Sequence, residues 1–130
     1  MTTTDRLAGV DPELAAKIRR ILNAMQALGF PMMVTDGFRT VQQQKRLFAQ
    51  GRTPSVPGPI VTRADGVVVR SNHQDGRAVD CTFLDANGKP RWIDADPWEL
   101  YGCAAEALGL KWGGRWRRPD RPHLELPEGL

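Results

Sequence analysis

Ser71-Asn72-His73-Gln74-Asp75-Gly76-Arg77-Ala78-Val79-Asp80 runs into Cys81-Thr82-Phe83-Leu84, and the rest of the chain is read outward from this stretch. Residues 78–84 alternate as a central strand does. Gly76 turns the polar segment before it, so His73 and Asp80 converge from a loop and a strand. Upstream, residues 30–35 read as a short buried strand and Asp36-Gly37 as a turn. Downstream, Asn87-Gly88 is a hairpin-type turn, residues 110–116 a short strand or turn, and residues 122–126 the last strand. Three helices accompany these strands. Asp11 caps the first and Pro12 suits its first position, with Leu14, Ile18, Ile21, Leu22, Met25 and Leu28 at helical spacing and Gly29 at the end. Thr40 caps the second, over residues 41–50. Its few apolar side chains, Val41, Leu47 and Phe48, leave one face open to solvent or a cleft. Asp96 and Pro97 open the third, with Trp98, Tyr101, Ala105 and Leu108 on one face and Gly109 at its end. Residues 52–71 hold Pro54, Pro57, Pro59 and an Asp65-Gly66 turn, and form a long loop of the kind that often carries function. The expected fold is α+β, a small antiparallel sheet with helices packed on it.

The 130 residues are expected to form one domain spanning residues 1–130. Apolar residues make up 41% and charged residues 25%, which excludes wholesale disorder. No apolar run approaches the roughly 20 residues of a membrane-spanning helix. Residues 1–13 show no basic region followed by an apolar stretch, so no secretory signal is expected. Cys81 and Cys103 stand in apolar surroundings and are expected to be buried free thiols. The net charge of +3 suits an anionic partner. Lys111, Arg115, Arg117, Arg118 and Arg121 cluster late, against Asp120, but no nucleic-acid motif accompanies them.

The chain has two histidines, each beside acids and near an expected strand end. A catalytic zinc takes three protein ligands, commonly imidazole and carboxylate, and keeps a further position for water. His73, Asp80 and His123 supply such a set. The chemistry also needs a carboxylate that accepts a proton from water and passes it to a leaving amine. Asp120 and Glu125 both qualify, and spacing alone does not choose between them. Arg39 is one candidate, among many arginines, for the group that meets a developing oxyanion.

Ser71-x-His73-x-x-Gly76-x-Ala78-x-Asp80, followed by Asp120-x-Pro122-His123, resembles the family of zinc D-alanyl-D-alanine carboxypeptidases and L-alanyl-D-glutamate endopeptidases. Gly37-Phe38-Arg39-Thr40 with Gln44 and Leu47–Thr53 is similar to that family's arginine-bearing segment, and Trp112-Gly113-Gly114-x-Trp116 to its stretch before the last histidine. The resemblance implies a Hedgehog/DD-peptidase-like fold with zinc (Zn2+) in an open cleft. It implies zinc ligation by His73, Asp80 and His123, and Asp120 rather than Glu125 as the catalytic carboxylate. Arg39 is implied to steady the polarised carbonyl, and Gln44, Ser71 and Trp116 to line or buttress the substrate cleft. Family members often carry an acid where Arg115 stands, so an arginine there is expected to change the charge at the cleft rim.

The resemblance implies an endolysin-like enzyme that cuts peptidoglycan stem peptides at the L-alanyl-D-glutamate bond; a monomer is expected, and 130 residues leave no room for a separate wall-binding domain. It would be made in the cytoplasm and reach the wall through a holin pore. The basic segment would add affinity for the anionic wall surface. The alternatives are a D-alanyl-D-alanine carboxypeptidase or dipeptidase, and a silent wall-binding domain. The silent domain is disfavoured because all the implied ligands and the base are present. A nucleic-acid binder, resting only on the late arginines, would need no zinc.

Overall fold

The computed structural model describes residues 6–67 and 69–128. Helix α1 (Pro12–Ala27) starts where Asp11 accepts hydrogen bonds from the backbone N–H groups of Glu13 and Leu14. Its stripe of Leu14, Ile18, Ile21, Leu22 and Met25 is buried against the sheet and the third helix, as the helical spacing requires. Strand β1 (Met32–Asp36) follows, then α2 (Val41–Ala49), capped by a reciprocal Thr40–Gln43 capping box. Gln44 is the buried residue of α2, so most of that helix faces outward as its sparse apolar pattern implies. Next come β2 (Ala78–Leu84), β3 (Pro90–Arg91), α3 (Trp98–Ala107), β4 (Lys111–Trp112), a 3-10 turn at Gly113–Arg115 and β5 (His123–Glu125).

The sheet order is β1-β2-β5-β4, and every pairing is antiparallel. One edge of β2 carries β1. The other is shared by β5 at residues 78–80 and β3 at residues 83–84. Alternation then divides the side chains. Val79, Cys81 and Leu124 go into the core with Tyr101 and α1, while Asp80, His123 and Glu125 occupy the opposite face. This is the α+β fold the sequence implied.

The strand limits differ from the sequence reading for a common reason. Proline has no N–H to give to a ladder, so β1 begins after Pro31 and β5 after Pro122. Each proline still contributes its carbonyl: Pro31 accepts from the Leu84 N–H, and Pro122 from the Cys81 N–H and the Tyr101 hydroxyl. Helix α3 begins at Trp98 without a side-chain cap, because the Asp96 carboxylate is taken by Arg91 of β3. Cys81 is buried as expected, but Cys103 is exposed. It lies on the face of α3 away from the buried Trp98, Tyr101 and Ala105.

Candidate metal centre

Asp80 and His123 are directly opposed across β2 and β5, so antiparallel register alone puts their side chains on one face. His73 arrives from the loop before β2. That loop turns at Gly76 with φ of +68°, where a Cβ would also stand 2.5 Å from the Gly9 carbonyl oxygen, so the position requires glycine. The Ser71 hydroxyl accepts from the His73 N–H, and the Gln74 side chain accepts from the Ser71 N–H. His73 Nδ1 lies 2.8 Å from the Gly37 carbonyl oxygen, which fixes Nδ1 as the protonated nitrogen and turns Nε2 toward Asp80. Asp80 Oδ1 is 3.4 Å from His73 Nε2 and 3.2 Å from His123 Nδ1. Ligand atoms of the three residues lie within 4.8 Å of one another.

His73 Nε2 and Asp80 Oδ1 are buried without a hydrogen-bond partner among the described residues. Buried polar atoms without partners are costly, and here two of them face one point alongside a third nitrogen. Two imidazoles and a carboxylate are a donor set suited to a divalent metal ion, so the residues present fit such a group. Burial alone would raise the Asp80 carboxyl, but the close approach of His123 and His73 outweighs it and holds Asp80 well below the usual carboxylate range. Burial opposes charge on His123, yet Asp80 and Glu125 lift that imidazole to about 9. A cation seated between these groups would take the proton's place.

Glu125 is the support that sequence reasoning left as an unchosen base. Two residues beyond His123 on β5, it shares that residue's face, and its Oε1 accepts from His123 Nε2 at 2.7 Å. Asn72 in turn donates to Glu125 Oε2 at 3.0 Å. With Nε2 protonated toward Glu125, His123 presents Nδ1 to the site. The two histidines therefore face it through different nitrogens, each fixed by a hydrogen bond behind the ring.

Asp120 stands on the open side, half exposed, with Oδ2 3.9 Å from His123 Nδ1. Its backbone N–H donates to the Gly113 carbonyl, and a Cβ at Gly113 would lie 2.4 Å from the Asp120 carbonyl oxygen. The Trp112-Gly113-Gly114 segment thus lets the Asp120 loop approach closely, and Trp112 Nε1 pins that loop by donating to the Arg121 carbonyl. Burial and the nearby Asp80 charge raise the Asp120 pKa, against the opposing pull of His123, His73 and Arg39. A raised carboxylate beside the triad is poised to accept a proton.

Arg39 lies behind Asp80. Its Nε donates to Asp36 at 2.7 Å, Nη1 donates to Gln44 Oε1 at 3.0 Å, and Nη2 is 3.8 Å from Asp80 Oδ2. Gln44 is fully buried, and its amide also donates to Thr62 Oγ1 and the Ala64 carbonyl. It braces Arg39 and the long loop together, and Ser71 likewise braces the His73 turn. Trp116 is 39% exposed, and its ring sits 4.9 Å from the His123 ring, at the cleft edge. Arg115 does not alter the rim as expected: it turns back to Glu99 and Glu106 of α3 and stacks on Trp112.

Comparison with known proteins finds peptidoglycan peptidases. Residues 65–126, which contain the triad and Asp120, match the peptidase M15 family profile described as D-alanyl-D-alanine carboxypeptidase. The chain is 36% identical to the peptidoglycan L-alanyl-D-glutamate endopeptidase CwlK of Bacillus subtilis (strain 168), over 75% of this chain and 62% of that protein. It therefore spans somewhat less than two thirds of that relative's length. The fold matches the Serratia marcescens L-Ala D-Glu endopeptidase ChiX with a TM-score of 0.69 and 26% identity, covering 96% of this chain and 86% of that one. It also matches the D,D-pentapeptidase VanY in complex with Zn(II), with a TM-score of 0.60 and 15% identity over 90% of this chain and 72% of that one, which bears on the fold alone. Over residues 65–126, the stretch that carries His73, Asp80, Asp120 and His123, the chain is similar to the M15 family of peptidases.

Proposed function

We propose that this protein is a zinc-dependent peptidase that cuts the L-alanyl–D-glutamate bond in the stem peptides of peptidoglycan. The observation that carries the reading is the convergence of His73 Nε2, Asp80 Oδ1 and His123 Nδ1 beside the half-exposed Asp120. When bound, a zinc ion held by these three residues would supply an acidified water and polarise the scissile carbonyl. Asp120 takes the proton from the attacking water and passes it to the leaving amine. Glu125 and the Gly37 carbonyl hold the two imidazoles in register, and Asn72 holds Glu125. Arg39, with Nη2 3.8 Å from Asp80 Oδ2, helps hold that carboxylate in place and is the guanidinium assigned to steady the polarised carbonyl. Two relatives support the choice of bond, since both CwlK and ChiX carry that activity in their names.

A second reading, carboxypeptidase action on terminal D-alanine, is favoured by the family description. Mass spectrometry of digested peptidoglycan separates the two. Peptides with new D-glutamate N-termini support the endopeptidase, and release of D-alanine alone overturns it. The proposal extends to an endolysin role for a single-domain monomer that crosses the inner membrane through a holin. Rapid clearing of permeabilised cells by the added protein supports that role, and intact turbidity counts against it.

A further inference from the structure

An open cleft of about 760 Å³ lies on one flank of the site, lined by Ile60, Thr62, Arg63, Trp116, Arg118 and Asp120 among others. It brings two separate segments together, the long loop after α2 and the segment between the 3-10 turn and β5. Most nearby arginines are neutralised: Arg115 by Glu99 and Glu106, Arg121 by Asp94, Arg39 by Asp36, and Arg70 by Asp75. Among the described residues, neither Arg63 nor Arg118 has a carboxylate within ion-pair distance, and both are exposed to the cleft.

Arg63 is also held from behind. The residues on either side of it are both bonded by Gln44, through Thr62 Oγ1 at 3.2 Å and the Ala64 carbonyl at 2.8 Å. Arg52 adds a bond to the Thr62 carbonyl at 2.9 Å. On the facing side, the Asp120 N–H is tied to the Gly113 carbonyl two residues beyond Arg118. Arg63 is thus carried on braced backbone, Arg118 lies two residues before the tied Asp120, and the two unneutralised guanidinium groups line one cleft with the proton-transfer carboxylate.

We infer that Arg63 and Arg118 form a carboxylate-binding subsite that takes the free α-carboxylate of the residue on the amine side of the scissile bond. The inference rests on the L-alanyl–D-glutamate reading above. In that substrate D-glutamate continues the stem through its γ-carboxyl, so its α-carboxylate sits on the same carbon as the leaving nitrogen. Asp120 must reach that nitrogen to protonate it, which brings two carboxylates close together in a partly desolvated cleft. Their repulsion needs cations on the Asp120 side, and guanidinium groups bind carboxylates through directed, charge-assisted hydrogen bonds. The subsite discriminates between a free α-carboxylate and its amide, which lacks the charge.

The test uses two synthetic stem peptides that differ only at this group, one with D-glutamate and one with the α-amide D-isoglutamine. They are assayed with the zinc-loaded wild type and with the Arg63→Gln/Arg118→Gln double variant, whose substitutions lie on the surface. The wild type is expected to prefer the carboxylate peptide by about tenfold in kcat/KM, carried mainly by KM. In the double variant the ratio is expected to fall to about one. A wild-type preference that survives the double substitution overturns the subsite, as does the lack of any preference in the wild type. If the wild type cuts neither peptide between alanine and D-glutamate or isoglutamine, the choice of bond is overturned and the subsite with it.

Discussion

Replacing Glu125 with alanine removes the acceptor behind His123. Oε1 lies 2.7 Å from His123 Nε2, and both residues are 7% exposed, so water cannot readily take over the bond. Two losses follow. The imidazole is no longer held with Nε2 protonated, so Nδ1 loses its preference for the metal position. Asn72 Nδ2, 3.0 Å from Oε2, loses its acceptor as well. A hydrogen bond to a charged group is worth about 1.5–3 kcal/mol, and support behind a metal-bound histidine typically changes metal affinity by about 10- to 100-fold. Zinc affinity of Glu125→Ala is therefore expected to fall by about 10- to 100-fold. Glu125→Gln keeps an oxygen for Nε2–H and is expected to lose less. The assay is competition for zinc against a chromophoric chelator at fixed pH. The melting temperature of the metal-free variant, measured in parallel, separates a ligand-positioning effect from a folding defect. Zinc affinity of Glu125→Ala within twofold of wild type would refute the reasoning, because it would show that His123 needs no partner to present Nδ1.

Asp120→Asn is expected to keep its zinc but lose about 10²- to 10⁴-fold in kcat, whereas His123→Ala loses both, and metal analysis beside peptide turnover checks the pair. An Asp120→Asn variant as active as wild type would return Glu125 to consideration as the base. Gln44→Ala leaves Arg39 Nη1 and the Ala64 carbonyl without their partner, at about 1–3 kcal/mol per unsatisfied buried group. It is expected to melt earlier and to be cut faster by protease within residues 52–71, and unchanged cleavage would argue against Gln44 as the brace. A thiol reagent should label Cys103 in the native protein and Cys81 only after unfolding, since Cys81 is fully buried and Cys103 exposed. Equal labelling of the two would contradict the packing of β2.

The parts of the site that are legible in the sequence are those set by local pattern. His73, Gly76 and Asp80 lie within one turn and one strand, so spacing alone brings them near each other. The alternation of β2 shows that Asp80 and Cys81 point to opposite faces. The resemblance implied Gln44 and Ser71 as lining or buttressing residues, but what each support holds was not legible, because those contacts join segments far apart in the chain. Asn72, in the loop before β2, meets Glu125 of β5, and Gln44 bonds Thr62 and Ala64 in a loop with no periodicity. Glu125 was visible as an acid on the face of His123, but only the observed distance shows it behind the imidazole instead of in front of it. Arg115 misled for a similar reason. Its place in the Gly-Gly-Arg-Trp stretch implied the cleft rim, and its partners Glu99 and Glu106 lie on α3. Pro31 and Pro122 shortened the strands they precede, a correction available from the missing N–H alone.

The most direct test of the central claim is long-range ¹H–¹⁵N NMR of the two histidine side chains, recorded with and without zinc. The chain has only two, so the spectrum holds two imidazoles. On binding one equivalent of zinc, His73 is expected to keep its proton on Nδ1 and ligate through Nε2, while His123 keeps its proton on Nε2 and ligates through Nδ1. If both rings show the same tautomer, or if either is unaffected by zinc, the His73–Asp80–His123 centre described here is wrong.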